Sequence, residues 1–165
     1  MNFNSEFDII IKDCKLNAIQ LNSEYISSYH FLLSTLNSDN FPRRIFESRN
    51  ISFRDLVEKL QKDNSIKLER YFLTQEFETT LNSSKYYAKI YYQKDINPEH
   101  IILAMLADKN SLAGKYLNSI ELSYINFKND LESIVEIRTN KILEFFGSST
   151  FFVSLGVPRL IQKFI

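Results

Sequence analysis

Two histidines, one cysteine and one Gly-Lys pair are the first residues to weigh as chemistry. His30 and His100 are the only histidines in the chain. An imidazole titrates near neutrality, serves as a general base and ligates zinc. Each of these, however, stands in the first turn of an expected helix, just before an apolar run: Phe31-Leu32-Leu33 and Ile101-Ile102-Leu103. Packing with a satisfied ring nitrogen is the role expected of both. Cys14, the single cysteine, excludes an internal disulfide framework and a cysteine-rich zinc site. It falls on the apolar face of the expected first helix, with only Lys12 and Lys15 as basic neighbours, and reads as a small core residue. A phosphate-cradling loop needs G-x-x-x-x-G-K-[ST]. Gly114-Lys115 has Lys109 five positions before the glycine and Tyr116 after the lysine, so the motif fails on both sides. No G-x-S-x-G nucleophile elbow occurs. The expectation is a chain that is not an enzyme, binds no nucleotide and uses no metal or cofactor.

Two surface patches remain. Arg43, Arg44 and Arg49 cluster with Phe41 and Phe46, but Asp39 and Glu47 dilute the charge, and a solvated face is expected. Tyr86, Tyr87, Tyr91 and Tyr92 are assigned to the fifth helix and spread around more of it than one buried stripe covers. Part of that belt is expected to be exposed, as tyrosines at interfaces are.

The elements that position these residues come from a repeat. Shifted by 70, Phe7 meets Phe77, Cys14 meets Ser84, Ala18 meets Ala88, Ile26 meets Ile96, His30 meets His100 and Leu33 meets Leu103. At a shift of 71, Phe46 meets Leu117, Ile51 meets Leu122, Leu56 meets Phe127 and Leu60 meets Leu131. The change of shift falls around Ser38–Asn40, where a loop tolerates a deletion. Each unit reads as four helices. The first carries Phe3, Phe7, Ile10, Ile11, Cys14, Ala18 and Leu21 on one face. Ser27 or Ser28 caps the second, Pro42 opens a short third, and Ser52 caps the fourth. In the second unit Thr74 or Leu73, Asn97 with Pro98, Ser111 and Ser123 mark the corresponding starts, and the last helix runs past Val135 toward Phe146.

Composition agrees. Of 165 residues, 44% are hydrophobic and 14% aromatic, which excludes a disordered chain. Three glycines and three prolines are too few for a barrel or sandwich and point to helices joined by short polar turns. Twenty basic and twenty acidic residues give a net charge of +0, so no overall field draws nucleic acid or anionic lipid. The longest purely apolar run, Ile101–Ala107, is far short of the ~20 residues of a membrane span. No secretory leader is visible, and a soluble cytoplasmic protein is expected.

The doubled pattern resembles the N-terminal double repeat of the Clp ATPase unfoldases. That family's unit opens with Phe-Thr and reaches Gly-Thr-Glu-His followed by Ile/Leu-Leu-Leu. Here the first unit reads Phe3-Asn4 … Ser28-Tyr29-His30-Phe31-Leu32-Leu33. The second reads Leu73-Thr74 … Pro98-Glu99-His100-Ile101-Ile102-Leu103 … Leu112-Ala113 … Leu117 … Leu122. The opening residue and the histidine are 27 positions apart in both units, as in the family. The family's glycines near the end of the first helix are absent, and the first unit has Tyr29 and Asn4 where the family has Glu and Thr.

The resemblance implies an all-α bundle of eight helices, two four-helix repeats about a pseudo-twofold axis, within residues 1–136. Repeat one covers about 3–61 and repeat two about 73–134, and 137–165 is a C-terminal extension. It implies a non-enzymatic protein-binding module that docks adaptors or substrate segments for an unfoldase or protease supplied by another chain. The alternative is a helical interaction protein of another assembly, such as a contractile secretion apparatus, that kept the fold. Some family members bind phosphorylated arginine through the Glu and Thr positions, of which Thr74 and Glu99 match here. A carboxylate pairs with a guanidinium, and a hydroxyl with a helix N-terminus holds a phosphate. Thr74 as an N-cap and Glu99 as a first-turn acid is the competing reading. Such a ligand is expected at the second unit and not the first, since Tyr29 offers only a neutral phenol.

Overall fold

The computed structural model describes residues 2–60 and 72–134. Leu60's side chain, the run of the last helix past Val135 and the tail 137–165 lie outside the described residues. Four helices form in each unit. They are α1 (Ser5–Gln20), α2 (Ser28–Ser34), α3 (Phe41–Ser48) and α4 (Arg54–Leu60), then α5 (Gln75–Ile90), α6 (Pro98–Ala107) and α7 (Leu112–Ser119). The helix at 124–134 is α8. The all-α bundle of two four-helix repeats is therefore what the chain forms.

Local chemistry sets the helix starts. Asn4 and Thr74, equivalent residues, accept the backbone N–H of Phe7 and Phe77. Asn40 accepts from Arg43, Ser111 Oγ from Gly114, and Ser123 Oγ from Asn126. Each satisfies a donor that the first helical turn leaves orphaned. The fourth helix starts at Arg54 rather than directly after Ser52, whose hydroxyl accepts from Arg54 at 3.3 Å.

The helix ends repeat as faithfully. After α1, α3, α5 and α7 the chain turns through Asn22, Asn50, Tyr92 and Glu121, all with positive φ between 53° and 64°. In each case the following N–H reaches a carbonyl five positions back: Ser23 to Ala18, Ile51 to Phe46, Gln93 to Ala88 and Leu122 to Leu117, all at 2.9 Å. These are Schellman endings built without glycine. An L residue in that region costs roughly 1–2 kcal/mol, least for asparagine. Tyr92 therefore lies beyond α5, and Tyr91 is its C-cap, which corrects the assignment of both rings to the fifth helix.

One further correction concerns Phe3. It is extended, not helical, and forms a parallel bridge with Ile96. Its mate, the short strand β2 (Phe72–Leu73), pairs in parallel with β1 (Tyr25–Ile26). Helix periodicity hides these contacts because each is only one or two residues long. The opening of each repeat thus pairs with the α1–α2 or α5–α6 loop of the other, an exchange with twofold character. The Asn4 N–H reaches the Ile96 carbonyl at 3.1 Å, and the Thr74 N–H reaches that of Ile26 at 3.0 Å.

The core closes over this frame. Phe31, Phe46, Phe77 and Phe127 are fully buried, and ring contacts cross the repeats at Phe31–Phe77 and Phe46–Phe127. Cys14, buried on α1, is a core residue whose thiol is pushed up to about 12 by burial. Helices α6 and α7 pack closely. At Gly114 a Cβ would stand 2.0 Å from the Met105 carbonyl oxygen, so glycine is needed for that approach.

Candidate functional site

The strand exchange creates two twofold-related junctions. At the first, the start of α1 meets the start of α6. At the second, the start of α5 meets the start of α2. The histidines belong to this frame. His30 and His100 are each the third residue of their helix, and each Nδ1 accepts the N–H of its cap residue, Ser27 at 3.0 Å and Asn97 at 2.9 Å. This is one arm of a capping box, with imidazole in the place usually held by Glu or Gln. Both rings are 1% exposed, and burial pushes both pKa values down to about 4. The rings are neutral at pH 7 and occupied as acceptors, as the sequence pattern suggests.

At the first junction the Asn4 side chain donates to Asn97 Oδ1 at 2.9 Å. Glu99, the second residue of α6, is buried there at 9% exposure. Glu6 stands in the first turn of α1, and partial burial raises its carboxyl above its ordinary value. At the second junction Thr74 caps α5, and Glu76 reaches across to α2. Its Oε1 accepts the Ser28 N–H at 3.1 Å and the Ser28 hydroxyl at 2.5 Å. Its Oε2 is buried without a hydrogen-bond partner among the described residues. Burial raises the Tyr29 phenol, with the nearby Glu76 charge adding to the effect. Tyr29 also meets Tyr116 edge to face at 6.4 Å.

Thr74 thus pairs its backbone with Ile26 of repeat one, and Asn4 of repeat one pairs with Ile96 ahead of α6. The exchange sets the start of α5, with Thr74 and Glu76, against the start of α2, and the start of α6, which carries Glu99, against Asn4. Counting along one repeat could not reveal this, because the partner segment comes from the other repeat. Glu76 was the residue to find. Its signal in the sequence was its match with Glu6, two positions after an N-cap.

Along α5 lies a hollow lined by Phe3, Leu73, Leu81, Asn82, Lys85 and Glu78. Phe3 and Leu73 are equivalent positions, so both repeats contribute the same opening residue to one apolar floor. The arginine cluster offers no free cation, because Arg43 pairs with Glu47, Arg44 with Asp39 and Arg49 with Asp130. Among the described residues no group of His, Cys, Asp or Glu is placed to hold a metal, and no helix is long and apolar enough to cross a membrane.

The bundle is similar in fold to the Clp N-terminal domains. Residues 72–142 match the family model of the Clp repeat N-terminal domain. The resemblance drawn from the doubled histidine pattern is thus confirmed on the second repeat, and solved structures extend it over most of the chain. The Hsp104 N-terminal domain from Candida albicans is 16% identical, with a TM-score of 0.65 over 79% of this chain and 89% of that one. The N-terminal domain of the chaperone ClpD from Arabidopsis thaliana is 16% identical, with a TM-score of 0.62 over 82% and 95%. The N-domain of ClpV from Vibrio cholerae is 14% identical, with a TM-score of 0.63 over 81% and 84%. A search of curated proteins finds no match.

Proposed function

We propose that this chain is a non-enzymatic protein-binding module of the Clp N-terminal type, which docks an adaptor or a substrate segment for an unfoldase carried by another chain. The observation that carries this reading is the hollow between Phe3 and α5. Phe3, Leu73 and Leu81 form an apolar floor, while Glu78 and Lys85 supply charge of both signs at its wall. Such a surface suits an apolar side chain of a peptide whose flanking residues are polar.

Affinity capture from the native lysate tests it, with the wild-type chain set against Leu81→Asp. Recovery of an unfoldase or its adaptor by the wild type, and its loss with Leu81→Asp, is the expected result. Recovery of sheath-like components instead would assign the module to a contractile secretion apparatus. The same partners on both baits would remove the hollow from the reading.

Thr74 and Glu99 enter this proposal as members of two separate half-sites, Glu99 acting with Asn4 and Thr74 with Tyr29 and Glu76. A phosphoarginine peptide titrated against amide shifts should then perturb the Asn4–Glu99 junction, where a carboxylate stands in the family's position. Glu99→Ala should remove that response. Loss of a charge-assisted pair weakens binding about ten- to a hundredfold. An unchanged response in Glu99→Ala would leave Glu99 as a first-turn acid only.

A further inference from the structure

The outward face of α5 carries an uncharged stripe that nothing in the described bundle covers. Thr79, Ser83, Tyr86 and Ile90 lie within about 60° of one another around the helix and all are exposed, Tyr86 at 64%. Aromatic contacts widen this stripe toward α8. Tyr86 meets Tyr87 at 5.5 Å, and Tyr87 meets Tyr124 at 6.2 Å. Ile125, next along, is 66% exposed. Repeat one has no counterpart. Its equivalent stripe, Ile9, Asp13, Leu16 and Gln20, is interrupted by a charge.

Two observations indicate what covers it. The chain leaves α8 beside this face, because Glu132 accepts from the Tyr91 hydroxyl at 3.2 Å, two residues before the last described position. The sequence then continues into Phe145–Pro158, which holds no charged residue and contains Phe145, Phe146, Phe151, Phe152, Val153 and Leu155. We propose that this segment of the same chain folds back and docks on the Tyr86–Ile90 stripe. The intervening ten residues, 135–144, reach up to about 33 Å, several times the width of the helix. Gly147-Ser148-Ser149-Thr150 is turn-forming chemistry and allows the reversal that brings Phe151-Phe152-Val153 back along α5. The match is between a charge-free helix stripe and a charge-free segment, so apolar burial proceeds without desolvating an ion. The hollow at Phe3 and Leu73, walled by Glu78 and Lys85, is a poorer fit for the same segment.

This inference is independent of the proposed partner binding and is tested without any partner. A photo-cross-linking phenylalanine analogue is placed at Phe152 in the full chain, and the products are separated by size and mapped by mass spectrometry. Cross-links within the monomer to the peptide holding Tyr86 and Ile90, or to Ile125, are expected. The double substitution Tyr86→Ser with Ile90→Asp, both at exposed positions, should lower that yield about tenfold while circular dichroism stays unchanged. Cross-links to the Phe3–Leu73 hollow, cross-links only between two copies, or no cross-link would each overturn it.

Discussion

His30 and His100 answer the same backbone need at equivalent places, and their chemistry follows from it. A neutral ring accepts the N–H of Ser27 or Asn97 through Nδ1, and a protonated ring cannot. Their native pKa values of about 4 lie below the unfolded value of about 6.5. A depressed pKa contributes stability that is present above the unfolded value and is lost as pH falls through the native one. Stability should therefore decline between about pH 6.5 and 4, by roughly 2–3 kcal/mol per histidine. The half-buried Glu6 carboxyl acts in the opposite sense. Its raised pKa favours the folded state in acid and loses that contribution as pH rises. Comparing wild type with His30→Gln/His100→Gln separates the two, since glutamine keeps an acceptor and does not titrate. Urea unfolding at pH 7, 5.5 and 4.5 should show a flatter profile for the double variant. Equal slopes would remove the histidines as the source.

At the scale of elements, the tightest constraint is the approach of α7 to α6 at Gly114. Replacing an exposed helical glycine with alanine ordinarily stabilises by up to about 1 kcal/mol. Here the added Cβ would meet the Met105 carbonyl oxygen, and the helices must part. Gly114→Ala should destabilise by about 1–3 kcal/mol, seen as a lower urea midpoint with an unchanged slope. A neutral or stabilising result would mean that α7 shifts freely. The same residue shows how a failed motif is explained by packing. Gly114-Lys115 sits inside a helix, where the glycine serves contact between elements. Helix existence and start were legible from the sequence because Asn97-Pro98, Ser111 and Ser123 carry local capping chemistry. The ends were less so. Asn22 and Asn50 suit the left-handed conformation that glycine usually marks, but nothing in the identities of Tyr92 and Glu121 announced it.

At the scale of the whole molecule, each repeat depends on the other. The β1–β2 pair, the Phe3–Ile96 bridge and the Asn4–Asn97 bond all join different repeats. So do the ring contacts Phe31–Phe77, Phe46–Phe127 and Phe53–Tyr116. Fragments 1–66 and 67–165 made separately should each lack a cooperative unfolding transition, because a lone unit exposes the apolar face its partner covers. Mixed in equal amounts, they should recover helical circular dichroism and a cooperative melt. Independent folding of either fragment would show that the exchange adds little.

What the sequence determined by itself was much of what short-range spacing sets: two units 70 residues apart, four helices in each, most of their starts, the buried Cys14 and the structural histidines. These follow from side-chain periodicity and from bonds that span three or four residues. Only the tertiary structure decided which unit's opening lies against which unit's α2 or α6. That choice set Thr74 against Ile26 and brought Glu76 onto Ser28. The physical reason is that the two repeats offer nearly identical edges. A strand opening pairs equally well, by local chemistry, with its own loop or with its twin's, and closure of one shared core around both units selects between them.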